Sequence, residues 1–399
     1  MNRHGARGIV GPHEPGREHT TMTNQLPLIP FGQRSNFEIP RVNIGAMRLP
    51  DNDDEAVALI RHAIDSGMRY IDTSRCYGES EVKLGKALKD GYREKVILST
   101  KWAPWIKKIH EDDDASEDCV LRRIEESMRR LDVDYLDYYQ IWNILDRTCY
   151  NAAVRKGGFL DGIRKAMDRG LVGHTGFTSH DTVENLLGYL DEVDWCEIIL
   201  LTYNMLNKTY EPVLEKAHRR GIGTIVMNPV AGGKLAENSP VFEPLVRETG
   251  SRSLADLGIR WVLSNPCVDT IISGIAKVSD CNDSIASAAG ETLSDSQRRK
   301  VDAFVDRLAP RHFTLCTNCG YCMPCPRGVN IPRVMDAVYN HRVLGFAKSA
   351  RDGYRAIGSD KWNPGKKADA CTSCGVCLDK CTQGIDIPAE MNFARETFR

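Results

Sequence analysis

Eight cysteines close to the C-terminal end constrain this chain more than any other feature. Cys316, Cys319, Cys322 and Cys325 stand three residues apart and are followed by Pro326; Cys371, Cys374, Cys377 and Cys381 form a second run with one wider last step. Each run offers four soft sulfur ligands, the number one cubane iron–sulfur cluster takes, so together they predict two 4Fe–4S clusters. The runs repeat one another beyond the thiols. CTNCGYC leads to GVNIP and CTSCGVC leads to GIDIP, so that Gly328, Ile331 and Pro332 correspond to Gly384, Ile387 and Pro388. A pair of structural zinc sites is the competing reading, but two C-x2-C pairs complete one zinc site and would leave the evenly spaced extra cysteine of each run surplus. A disulfide framework fits least, because disulfides staple small exported domains and this 399-residue chain shows no export signal.

The repeat points to a two-cluster, ferredoxin-like module over residues 311–399. In two-cluster ferredoxins the fourth cysteine of each run ligates the other cluster. That pattern implies Cys316, Cys319, Cys322 and Cys381 for one cluster and Cys371, Cys374, Cys377 and Cys325 for the other. The 45 residues between the runs have helical rather than alternating apolar spacing, so the module is expected to be mostly helical. The other six cysteines, Cys76, Cys119, Cys149, Cys196, Cys267 and Cys281, are scattered and read as ordinary buried thiols.

Net charge is −1 and the sequence pI is about 6.8, which gives no reason to expect nucleic acid or an anionic membrane as a partner. No apolar run is long enough to span a bilayer, and a cytoplasmic location is expected. Residues 1–35 are polar and aperiodic and read as a disordered extension. From 36 to 310, short β-branched runs alternate with amphipathic stretches, among them RYIDTS, KVILSTK, DYLDYYQIW and GTIVMNP as strands and DEAVALIRHAIDSG and VLRRIEESMRRL as helices. Gly67, Gly170, Gly221 and Gly290 stand where helix ends are expected. Eight such units predict an α/β fold of the (β/α)8 TIM-barrel type. An open doubly wound sheet is the alternative, weakened because no G-x-G-x-x-G follows the first strand. SDSQRRKVDAFVDRLA is expected to pack outside the barrel before the cluster module begins.

Barrel active sites form where the strands end. Asp72 closes the second predicted barrel strand, Tyr77 follows in its loop, and Lys101 closes the third. A tyrosine is a weak acid; an adjacent ammonium lowers its pKa by stabilising phenolate, and a carboxylate can fix that lysine in place. Singly, each residue could be structural or surface. Their joint placement suggests acid–base chemistry.

In these segments the chain resembles the aldo/keto reductase family. The matching stretches are IDTSRCYGESEVKLGKAL, VILSTKW, LDVDYLDYYQI, GHTGFTSH, TYNMLNK and GIRWVLSNP through IISG, from about residue 40 to 305. More narrowly, CGYCMPCPRGVNIP and MNPVAGGKL resemble the branch that carries a C-terminal iron–sulfur module. The resemblance implies an NAD(P)H-linked reductase of carbonyl compounds, with Tyr77 as general acid, Lys101 as its modulator and Asp72 as partner of Lys101. It further implies that Thr178, Ser179, Met227, Asn228, Gly274 and Lys277 contact the nucleotide.

The chain also departs from the family. Tyr139-Gln140-Ile141-Trp142 stands where the family has a pattern like Y-Q-L-H, so Trp142 occupies the position of a catalytic histidine and cannot exchange a proton. A serine–asparagine pair becomes Thr178-Ser179, a glutamine becomes Leu200, and the stacking aromatic becomes Met227. Ser273 to Ser284 keeps one cation, Lys277, with Asp280 about where an arginine is expected, which does not support an NADP preference.

Hydride transfer moves two electrons together and each cluster passes one, which leaves three arrangements: a bound flavin that splits the pair, clusters that pass electrons directly to a substrate or a redox protein partner, and clusters with a purely structural role. The favoured reading is an oxidoreductase acting on a carbonyl/alcohol pair of a small organic molecule, with two 4Fe–4S clusters for electron transfer. The alternatives are an electron-transfer or assembly protein with an altered barrel, and a redox-neutral lyase or epimerase using Tyr77.

Overall fold

The protein, seen here in a computed structural model that describes residues 26–308, 316, 320–360, 363–381 and 383–399, opens with a short hairpin of β1 (Leu28–Pro30) and β2 (Glu38–Pro40). Eight parallel strands follow: β3 (Val42–Gly45), β4 (Tyr70–Asp72), β5 (Ile97–Trp102), β6 (Leu136–Ile144), β7 (Val172–Ser179), β8 (Ile198–Thr202), β9 (Gly223–Met227) and β10 (Thr270–Gly274). β10 pairs with both β9 and β3, closing the barrel. The (β/α)8 expectation therefore holds and the open sheet does not.

Each strand is followed by helix on the outer face. In Glu117–Leu131, Val120, Ile124, Met128 and Leu131 recur at helical spacing and are buried, and Asp132 ends the helix in a left-handed turn. Gly67, Gly170 and Gly221 take positive φ at helix ends as expected, whereas Gly290 is extended, with φ −74°. The helix Asp295–Leu308 lies outside the barrel, where Arg298 Nη1 donates to the Trp261 carbonyl at 2.9 Å.

Strand alternation divides each strand between two cores. Tyr139 and Ile141 pack outward with the helices; Tyr70, Ile97, Tyr138, Ile198, Leu200, Ile225 and Ile272 fill the interior. Phe31 and Ile39 of the hairpin join that interior core, fully buried. This corrects the reading of residues up to 35 as a disordered extension. Residues 1–25 lie outside the described residues, but 26–35 belong to the plug that closes the barrel's lower end. Composition misled because one aromatic, Phe31, carries the burial within a polar stretch. Gly32 is required there: its φ is +63°, and a Cβ would fall 2.5 Å from the Gly223 nitrogen. Asp269 Oδ2 accepts from both Gly32 N at 3.1 Å and Thr224 N at 2.9 Å, latching the plug to the barrel.

The C-terminal region is helical, as expected, with helices Ile331–Arg342, Ala347–Ala356 and Ile387–Thr397. The sequence repeat becomes a structural one. Asn330 and Asp386 cap the first and third of these helices through their side chains, each with proline in the first turn. Val334, Met335, Val338, Tyr354 and Met391 form a separate small core. No helix among the described residues is long and apolar enough to cross a membrane.

Candidate active site and cluster ligands

Asp72, Lys101, Gln140, Thr178, Thr202, Met227 and Gly274 all sit toward the C-terminal ends of their strands, on the barrel face where such folds do chemistry. Asp72 and Lys101 are 2% and 1% exposed. Lys101 Nζ donates to Asp72 Oδ2 and, at 2.9 Å, to the Thr73 carbonyl. Burial pushes the Asp72 carboxyl up, with Lys101 and Gln140 opposing. Burial by itself would pull the Lys101 ammonium down, but Asp72 and Tyr77 outweigh it and hold it above its ordinary value.

Tyr77 is half-buried beside this pair, with Lys101 Nζ 5.0 Å from its ring centroid. Burial pushes its phenol above the ordinary value; Lys101 pulls it back in part, and the Asp72 charge adds to the rise. The anticipated lowering by Lys101 is thus real as a contribution but smaller than the burial cost. Trp142 meets Tyr77 edge-on, at 5.6 Å between centroids and 85° between planes, so it forms a wall of the site.

Two residues of this site were not picked out by sequence reasoning. Gln140 Nε2 reaches Asp72 Oδ1 at 3.1 Å, Ser99 Oγ at 2.8 Å and Tyr70 OH at 3.2 Å, fixing the carboxylate from the side opposite Lys101. Strand alternation was the available signal, because Tyr138, Gln140 and Trp142 share one face of β6. Arg48, exposed just beyond β3, donates from Nη2 to the Gly232 carbonyl at 3.3 Å and lies 3.7 Å from where a Gly274 Cβ would stand.

The nucleotide candidates divide. Thr178 Oγ1 is buried without a partner, as are Asn143 Oδ1 on β6 and Thr202 Oγ1 on β8. Unpartnered buried polar atoms on three adjacent strands suit a hydrogen-bonding group seated at the mouth, as a nicotinamide carboxamide would be. The Ser179 hydroxyl is already engaged, donating to the Ile144 carbonyl at 2.7 Å and accepting from Asp181 N at 3.0 Å. Leu200 belongs to the apolar interior, and Met227 packs on that core from its edge. Asn228 follows with φ +57°, its carbonyl accepting from Asn204 Nδ2 at 3.1 Å. Lys277 precedes the helix Val278–Ala289 and faces Asp280 at 3.8 Å, so its charge is partly offset.

In the C-terminal region Cys322, Cys325, Cys371, Cys374 and Cys377 line one cavity with Val329, Ile331 and Met391. Cys325 thus shares a cavity with Cys371, Cys374 and Cys377 of the other run, and Cys322, which the sequence reading gives to the other cluster, lines it too. Cys316 and Cys381 pack against the module core, and Cys319 lies outside the described residues.

Residues 41–306 match the aldo/keto reductase family. The chain belongs to that family. Residues 315–385 match a 4Fe-4S dicluster domain, which makes the C-terminal region of this reductase an iron–sulfur module. It is 25% identical over 298 residues to the oxidoreductase YrpG of Bacillus subtilis, covering 63% of this chain and 88% of that one. It is 27% identical over 279 residues to L-galactose dehydrogenase of Arabidopsis thaliana, covering 63% and 85%. The holo form of the aldo-keto reductase AKR11C1 from Bacillus halodurans superposes with a TM-score of 0.61 at 21% identity, over 70% of this chain and 96% of that one. The structural likeness shows the barrel fold, and the two sequence relatives are named as an oxidoreductase and a dehydrogenase.

Proposed function

We propose that this enzyme reduces a carbonyl group of a small organic molecule with NAD(P)H, and that Tyr77 delivers the proton. The observation that carries the reading is the buried Lys101–Asp72 pair beside Tyr77. Two desolvated charges are costly, and packing alone gives no reason to keep them at the barrel mouth. Acid–base work at Tyr77 does: the ammonium stabilises the phenolate left after proton transfer, and Asp72, held by Gln140, keeps the ammonium in place.

A bound nicotinamide supplies the hydride that goes to the carbonyl carbon. Thr178, Thr202 and Asn143 are the residues suited to its carboxamide, with Met227, Asn228 and Gly274 lining the approach. Tyr77 donates to the carbonyl oxygen, giving the alcohol. Trp142 contributes shape rather than a second proton donor, so the substrate is selected by the fit of a large ring edge. The resemblance to an enzyme named for a sugar, L-galactose, is in keeping with a hydroxylated carbonyl compound. In the module, Cys325, Cys371, Cys374 and Cys377 suit one cluster, and Cys316, Cys319, Cys322 and Cys381 are assigned to the other. The test is NADH and NADPH oxidation across a panel of aldehydes and ketones by wild type and Tyr77→Phe. Turnover lost in the variant supports the reading, and turnover retained overturns it.

A further inference from the structure

The loop that leaves β9 is the meeting point of the barrel mouth and the cluster module. It starts at Met227 and Asn228, runs through the short 3-10 turn Ala231–Ala236, and ends at Glu237 and Ser239. Its backbone is held in an unusual shape. Asn228, Ala231, Gly232 and Gly233 all have positive φ, at 57°, 52°, 69° and 101°, and two of these four carry a Cβ. Such conformations persist only where the surroundings over-determine them.

Part of that determination comes from the barrel. Asn204 Nδ2 holds the Asn228 carbonyl, Arg48 reaches the Gly232 carbonyl, and Leu235 is buried against Gly258. The rest comes from the module. The Glu237 carboxylate accepts from Lys348 N at 2.5 Å, from Ser349 N at 2.9 Å and from Ser349 Oγ at 2.9 Å, capping the module helix Ala347–Ala356 from across the interface. Ser239 Oγ donates to the Leu344 carbonyl at 2.6 Å, and Phe242 stacks on Phe346 at 5.8 Å and 5°. These module contacts come from residues 344–349, the turn before the helix Ala347–Ala356 and its first turn, and Lys234 Nζ lies 4.0 Å from Asp336 Oδ2 on the helix Ile331–Arg342, while the cysteine cavity is lined by residues 322–331, 371–377 and 387–391. The contact with the loop is therefore made by the module's helical scaffold.

We propose that the iron–sulfur module braces this loop in its nucleotide-receiving shape, with Glu237 as the positioning residue that couples module docking to the nucleotide seat at Met227 and Asn228. The inference rests on the nicotinamide reading for the ligand, but the brace itself is independent of it. Glu237 touches no reacting atom, so it acts on binding and not on the chemical step.

The experiment uses the full chain with both clusters in place. Glu237→Ala should raise the KM and Kd for NADH or NADPH by roughly 5–20-fold, toward the lower end of the usual range for coupled sites. Its kcat and cluster absorbance should stay at wild-type values, while amide hydrogen exchange over residues 230–236 becomes faster. Glu237→Gln, which keeps an acceptor for the helix amides, should recover most of the affinity. Faster exchange with unchanged nucleotide affinity would overturn the coupling, as would a fall in kcat equal to the rise in KM. Unchanged exchange in Glu237→Ala would overturn the brace. A wild-type chain that bound neither nucleotide would instead defeat the nicotinamide reading, and the exchange rates alone would then decide the brace.

Discussion

At the lower end of the barrel, Phe31, Ile39, Tyr70, Ile97 and Tyr138 fill the interior with apolar rings and branched chains. Two residues further along the same strands, the upper end carries Asp72, Ser99 and Gln140, with Lys101 two residues beyond Ser99 on β5, and none of these is more than 2% exposed. The lower end is mostly apolar packing, with Phe31 edge-on to Tyr70 at 5.5 Å and to Tyr138 at 5.9 Å, and the Tyr138 hydroxyl buried there without a partner. The upper end leaves Gln140 Oε1, Thr178 Oγ1 and Thr202 Oγ1 without partners. One set of strands thus supports packing at one end and chemistry at the other. The difference teaches where a substitution should be felt: in stability below and in rate above.

The largest effect that separates the two ends is expected at the mouth. Tyr77→Phe should lower the rate of carbonyl reduction by roughly 10²–10⁴-fold, the usual worth of a positioned acid. Its unfolding midpoint should barely move, because the ring and its packing on Trp142 remain. Steady-state kinetics beside thermal unfolding read both quantities. At the other end, Phe31→Ala should cost about 3–5 kcal/mol of stability by the usual measure for a buried aromatic. The fraction of enzyme that remains folded should turn over at the wild-type rate. Urea unfolding followed by kinetics at low denaturant measures this, and a selective loss of kcat would blur the division between the ends.

Some of this division was legible in the sequence. Asp72 and Lys101 could be placed because each closes a run that reads as a strand, and strand ends define the active face of a barrel. The iron–sulfur module and its candidate cysteines were legible because their spacing and their flanking glycine, isoleucine and proline repeat. The plug was not, since its strands are three residues long and rich in proline. Gln140 was visible as a letter, but its role requires Asp72, Ser99 and Tyr70 to converge from two other strands. The tie between Glu237 and Lys348 spans 111 residues and leaves no periodicity to read.

The module offers a third contrast, between soft thiol ligands and the hard charges of the mouth. Wild type should hold about eight iron per chain, and Cys325→Ala and Cys374→Ala should each fall to about four, the content of one cubane. Because Cys325 and Cys374 share one cavity, the double variant should lose no more iron than either single one. Iron analysis of anaerobically prepared protein decides this. A double variant without iron would place the two thiols on different clusters.

The smallest expected effect is one of pH. The Tyr77 phenol lies above its ordinary value of 10.0, so it stays protonated and able to donate throughout the neutral range. Carbonyl reduction should therefore be nearly flat from about pH 6 to 9 and decline only as pH rises through the folded value. Lys101→Met removes the one charge that favours phenolate, so its alkaline decline should move higher still while the plateau rate falls. A pH–rate series for both proteins tests the sign, and a decline that sets in near neutrality would show that another group gates the reaction.

The central claim, that the buried Lys101–Asp72 pair serves proton transfer at Tyr77 in a nicotinamide-linked reduction, is tested most directly by titrating NADH and NADPH into the anaerobic protein with its clusters intact. Bound-nucleotide fluorescence and carbonyl-dependent oxidation are followed in wild type and Tyr77→Phe. The account predicts saturable binding of at least one nucleotide by both proteins, and oxidation by wild type alone. Failure of both nucleotides to bind a protein whose clusters are fully formed would contradict it.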